Sequence, residues 1–153
     1  MVTMKQTNIA IIPARGGSKR IPQKNIKHFQ GKPIIAWTIE AALQAKIFTR
    51  VLVSTDEPEI AAISLEYGAE CPFYRDASYD DFASVSEASL AALQQAEAYY
   101  EESYTYTTQL MANCPLRPSN TIRSMFDTFS EIHAEFMLTY TKYGWLNPWW
   151  AAT

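Results

Sequence analysis

Asn8 to Pro13 (Asn-Ile-Ala-Ile-Ile-Pro) is a short, nearly unbroken apolar run. A strand covered on both faces reads this way, so the run predicts a buried strand. Residues 14–32 follow as a loop rich in Gly, Lys and Arg. Pro33 then opens a segment in which Ile34, Ile35, Thr38, Ile39, Ala42 and Leu43 recur near helical spacing. Proline suits a first helical position because its missing N–H would be unpaired there anyway. Arg50–Ser54 predicts a second strand. Asp56 followed by Glu59 reads as a variant capping box, and Gly68 as a left-handed closure of the helix between them. Cys71–Tyr74 predicts a short strand, and Ser84 or Ser86 caps a helix running to about Tyr100. Thr105–Met111 predicts a further strand. Ser119 caps a helix whose Ile122, Met125, Phe126 and Phe129 form an apolar stripe. Phe136–Thr141 is the last strand candidate. This alternation predicts an α/β fold with a mostly parallel sheet.

Composition changes the picture little. The chain has 153 residues, 48% hydrophobic and 19% charged, which is enough for one substantial core and excludes a disordered tail. The two cysteines, Cys71 and Cys114, cannot form a disulfide scaffold, and no Cys/His zinc spacing occurs. No signal peptide or spanning apolar stretch is recognisable, so the expectation is a cytoplasmic protein without a membrane segment. Charge is more informative. Residues 1–50 hold nine basic residues against the single acid Glu40, a net +8, while residues 51–153 hold four against fifteen, a net −11. A basic cluster on an acidic chain points to a local anion site rather than to nucleic acid. The C-terminal Trp145, Trp149 and Trp150 predict an interface.

The cluster has a definite place. The sequence Ile12-Pro13-Ala14-Arg15-Gly16-Gly17-Ser18-Lys19-Arg20-Ile21-Pro22-Gln23-Lys24-Asn25 feeds the first strand straight into a glycine-containing cationic loop. Ligands of open α/β sheets bind just past the carboxyl ends of strands. Successive amides there can form an anion nest, and Arg15, Lys19, Arg20 and Lys24 can donate charge-assisted hydrogen bonds to phosphate. The loop matches neither the Walker spacing nor the Gly-x-Gly-x-x-Gly dinucleotide fingerprint. His28 and His133 lack catalytic partners in sequence, and Cys114 reads as a small buried residue.

This loop, together with Gly31-Lys32-Pro33-Ile34-Ile35, Val53-Ser54-Thr55-Asp56 and Tyr67-Gly68-Ala69-Glu70, resembles the acylneuraminate cytidylyltransferase family, which makes CMP-nonulosonates. The likeness runs from Ile9 to about Arg123. The related 3-deoxy-manno-octulosonate cytidylyltransferases share Ile-Pro-Ala-Arg but typically lack the Lys-Asn that is Lys24-Asn25 here. The resemblance implies a three-layer, Rossmann-like nucleotidyltransferase sandwich, one partial domain over residues 1–153 with 142–153 starting a dimerisation region. It implies transfer of a cytidylyl group from CTP to a nonulosonic acid sugar, with release of pyrophosphate, in a cytoplasmic homodimer serving cell-surface polysaccharide or flagellin glycosylation. Other readings are a nucleotidyltransferase with another sugar acceptor and a non-catalytic nucleotide-binding remnant. By position, Ala14, Arg15, Gly16, Gly17, Ser18 and Lys24 form the triphosphate cradle, with Arg15 and Lys24 in the catalytic roles. Asn25 contacts ribose or base, and Arg75 and Ser86, with Ser84 as a rival, hold the cytidine.

Two departures stand out. Where the family carries Leu-Gln-Pro-Thr-Ser-Pro-Leu-Arg, the chain has Leu110-Met111-Ala112-Asn113-Cys114-Pro115-Leu116-Arg117, so Met111 replaces the glutamine that contacts the sugar in relatives. This points to a nonulosonic acid other than sialic acid, such as a bacterial surface or flagellar sugar, or to an altered site. The family's Mg²⁺-binding aspartates have no counterpart in this sequence. Asp56 reads as a helix cap and Asp80 and Asp81 as solvated loop residues, so Mg²⁺ is implied as cofactor with no ligand assigned.

Overall fold

The computed structural model describes residues 7–18, 21–75 and 84–140. Its elements run β1 (Asn8–Pro13), β2 (His28–Phe29), β3 (Lys32–Pro33), α1 (Ile34–Ala45), β4 (Arg50–Ser54), α2 (Pro58–Glu66), α3 (Val85–Tyr100), β5 (Tyr106–Gln109) and α4 (Ser119–Glu131). The expected parallel sheet is present, with β1 central in the order β4-β1-β5 and parallel to both neighbours.

The apolar run of β1 is explained by cover on both faces. Ala10 and Ile12, in register with Val51 and Val53 of β4, pack with Ile35 and Ile39 of α1, Ile60 of α2 and Ile122 at the start of α4. Ile9 and Ile11, with Leu52 opposite Ile11, face Ala92 and Ala96 of α3. Small residues on α3 let it lie close to the sheet. Helix, sheet and helix make the three layers.

Several boundaries differ from expectation, each for a local reason. Pro33 is the residue before α1, not its first, because it pairs with His28 in the small β2–β3 hairpin. Cys71–Tyr74 forms no strand: the sheet contact stops at a single parallel bridge between Leu52 and Glu70. Strand β5 is shorter than Thr105–Met111, since Leu110 and Ala112 turn into the α1 side of the core and Thr38 Oγ donates to the carbonyls of Met111 and Ala112. Residues 136–140 form no strand. Thr141, the three C-terminal tryptophans and the proposed dimerisation start lie outside the described residues. Gly68 does close α2, at φ +89°, a conformation that favours glycine.

The chain divides into two compact units, Met1–Arg123 and Ser124–Thr153. In the second, the expected buried stripe is only half-buried at Met125, Phe126 and Phe129, and Phe136, Leu138 and Tyr140 are exposed. None of the described helices is long and apolar enough to cross a membrane.

Candidate functional site

The candidate site lies in the first unit, where β1, β4 and β5 end side by side. Ala14 continues the ladder by one rung, its N–H donating to the Ser54 carbonyl at 2.9 Å, and is fully buried. The chain then turns out of the sheet. Gly16 donates its N–H to Asp56 Oδ1 at 2.8 Å, and Ser18 donates to the Gly16 carbonyl at 2.8 Å. From the far side of the loop, buried Asn25 donates its side-chain amide to the Arg15 carbonyl at 3.0 Å. Asn25 sits in a single 3₁₀ turn, Lys24–Ile26, entered through Gln23 in a left-handed conformation. Gln23 in turn donates to Glu59 of α2 at 3.1 Å. The loop is therefore pinned at three points to β4, to α2 and to itself.

Asp56 is not the cap of α2, as expected from sequence. Glu57 occupies that position, Pro58 takes the first helical one, and no side chain caps the turn. Asp56 faces the β1 loop and Arg75 instead. The Arg75 Nη2 lies 3.8 Å from Asp56 Oδ1, and the Arg75 N–H donates to the Thr55 carbonyl at 2.8 Å. The Arg75 side chain is only 7% exposed, and its Nε is buried with no hydrogen-bond partner. Asp56, expected to cap α2, turns to the Gly16 amide and Arg75 instead. The available signal was its place just beyond the end of β4, next to the strand that feeds the basic loop.

The remaining expected residues divide. Arg15 and Gly17 are exposed on the outer rim of the turn, and Ser18 and Lys24 are half-buried. Of the amides expected to form an anion nest, those of Gly16 and Ser18 already have partners within the protein, which shifts recognition of an anion toward side chains. Ser84, not Ser86, caps α3: its Oγ accepts from Glu87 N–H at 3.2 Å while Glu87 Oε2 accepts from Ser84 N–H at 2.7 Å. These bonds hold the Glu87 carboxyl below its usual range. Ser86 is exposed in the first turn, and among the described residues no hydrogen bond ties it to the β1 loop. At the end of β5, Gln109 Oε1 accepts from Ser89 of α3 at 2.9 Å and Gln109 Nε2 lies 3.9 Å from the Met111 sulfur. A glutamine amide thus stands beside the position where the resemblance expects one. Cys114 is half-buried rather than buried.

Among the described residues no three of His, Cys, Asp and Glu converge on a point that could hold a metal ion. Asp56 is committed to Gly16 and Arg75, and Asp80 and Asp81 lie outside the described residues.

A family model described as cytidylyltransferase matches residues 9–143. The chain is 40% identical over 137 residues to a pseudaminic acid cytidylyltransferase of Campylobacter jejuni, covering 89% of this chain and 59% of that protein. It is 38% identical over 119 residues to a CMP-N,N'-diacetyllegionaminic acid synthase of Legionella pneumophila, covering 75% of this chain and 50% of the relative. The chain thus spans between half and three-fifths of the length of these two relatives. Among solved structures, CMP:2-keto-3-deoxy-manno-octonic acid synthetase complexed with CTP superimposes with a TM-score of 0.68 at 22% identity, over 84% of this chain and 49% of that one. At that identity the likeness is one of fold. With a family match running from the central strand past α4, the chain belongs to the cytidylyltransferase family.

Proposed function

We propose that this chain binds CTP at the carboxyl edge of β1 and serves the transfer of its cytidylyl group to a nonulosonic acid. The anomeric hydroxyl oxygen of the acceptor forms the new bond to the α-phosphorus. The bond from that phosphorus to the bridging oxygen breaks, pyrophosphate leaves, and the hydroxyl proton is released. What supports the reading is one observation: the start of the cationic turn after β1 is tied at the Gly16 amide by Asp56 and at the Arg15 carbonyl by Asn25, at the edge where this fold class takes its ligands. Such a transfer needs mainly positioning and neutralisation of charge. Arg15, Ser18 and Lys24 take the triphosphate, Asn25 and Arg75 the cytidine, with Ser86 as a further contact. The unpartnered Nε of Arg75 is a donor suited to that role. Mg²⁺ accompanies CTP through its phosphate oxygens, with no ligand assigned in this chain. The protein works as a homodimer in the cytoplasm, with sugars of the pseudaminic or legionaminic class as acceptors, in keeping with the names of its relatives.

The test is pyrophosphate release from CTP and Mg²⁺ across a panel of nonulosonic acids, alongside calorimetric CTP binding. Lys24→Ala is expected to weaken CTP binding about tenfold, the loss of one charge-assisted contact. CTP affinity unchanged by that substitution removes Lys24 from the cradle. Binding without release for any acceptor leaves a nucleotide-binding module. Absence of CTP binding overturns the reading.

A further inference from the structure

Arg117 lies on the segment between β5 and α4, and its guanidinium is poorly matched to its surroundings. Its Nε is buried without a hydrogen-bond partner. Its Nη2 reaches the Met111 carbonyl only at 3.5 Å. Among the described residues no carboxylate pairs with it. By contrast, Arg50 is paired with Glu70 and Glu102, and Arg75 has Asp56 3.8 Å from its Nη2, although its Nε, like that of Arg117, has no partner. Burial lowers Arg117 from the ordinary arginine range, with the Cys114 thiol opposing. A guanidinium does not give up its proton at neutral pH, so it stays a cation lacking a counter-anion in a desolvated place. Such an arrangement is costly and is found where a ligand completes it.

Its position fits that role. Leu110 donates to the Ile11 carbonyl at 2.9 Å, so the segment leading to Arg117 leaves the sheet beside β1 and its cationic turn, at the same edge. We propose that Arg117 receives the carboxylate of the acceptor sugar. Nε and one terminal nitrogen present the two parallel donors that a carboxylate's two oxygens match. The inference rests on the reading of the acceptor as a nonulosonic acid, whose carboxylate is the group a neutral sugar lacks.

Phosphate shares this anion chemistry, so the experiment separates the two. The full chain is titrated calorimetrically with pseudaminic acid and with its methyl ester, each in the presence of CDP to fill the nucleotide site. The free acid is expected to bind about tenfold or more tightly than the ester. Arg117→Gln abolishes that preference while CTP affinity stays within about twofold, and Arg117→Lys retains part of it. On the unaltered chain, the ¹⁵Nε resonance of Arg117 shifts with the acid and not with the ester, which decides the matter even if the variants fold poorly. Acid and ester binding alike, neither binding, or a preference surviving Arg117→Gln each overturns the proposal. So does a loss of CTP affinity in Arg117→Gln, which assigns the guanidinium to the triphosphate. Failure of the unaltered chain to bind CTP falls instead on the nucleotide reading.

Discussion

Gly16 occupies a point where Glu57 leaves no room for a side chain. A Cβ there would meet Glu57 Cβ and Oε2 at 2.9 Å. The first of these cannot swing away without moving the start of α2. Gly16→Ala is therefore expected to cost about 1–3 kcal/mol in urea denaturation, a typical overpacking loss. It also displaces the amide that Asp56 holds, so CTP binding falls with it. Gly17, whose added Cβ would meet nothing within 4 Å, is the control, and Gly17→Ala leaves stability nearly unchanged. Where the basic loop leaves the sheet was legible from chain position, since Ala14 to Ser18 directly follow the first strand. Asp56 was not legible. An Asp three residues before a Glu reads as a cap, and only the parallel pairing of β1 with β4 shows that its carboxylate has a better partner in the Gly16 amide.

At the scale of elements, β1, β4, α1 and α3 followed from periodicity because each has one dominant demand on its side chains. Cys71–Tyr74 and residues 136–140 were misread for the opposite reason: apolar and β-prone residues there suit a strand, but strand formation needs a neighbour, which a single sequence does not reveal. The start of α3 was ambiguous between two serines, and the reciprocal bonds of Ser84 and Glu87 decide it. Ser84→Ala is expected to lower stability by about 1 kcal/mol, and Ser86→Ala by much less, read from thermal melts of both variants. CTP affinity that falls in Ser86→Ala without loss of stability would mark Ser86 as a nucleotide contact.

For the whole molecule, the strongest polar knot lies at the opposite edge of the sheet from the cationic turn and had no sequence signature. Arg50 bonds Glu70 at 2.9 Å and Glu102 at 2.8 Å, and its guanidinium stacks 3.6 Å over the Tyr100 ring. Tyr100 donates to Glu70 at 2.6 Å and Tyr104 to Glu102 at 2.9 Å. Three segments far apart in sequence meet there, around Arg50, Glu70 and Tyr100–Tyr104. The hydrogen bond from Arg50, with that from Tyr104, holds the Glu102 carboxyl at about 2, against 4.5 when unperturbed. Because the folded value is depressed, its contribution to stability is fully present above about pH 4.5 and is lost as pH falls toward 2. Urea midpoints measured across that interval should decline, and Glu102→Gln should flatten the decline. The sheet order carries a separate consequence for biosynthesis. Strand β1 leaves the ribosome before either of its neighbours, yet it gains the second only when Tyr106–Gln109 has emerged, about a hundred residues later. Until then its backbone N–H and C=O groups stay unpaired along one edge, so nascent chains halted before that point are the ones a chaperone should hold, and release should come once the third strand is in place.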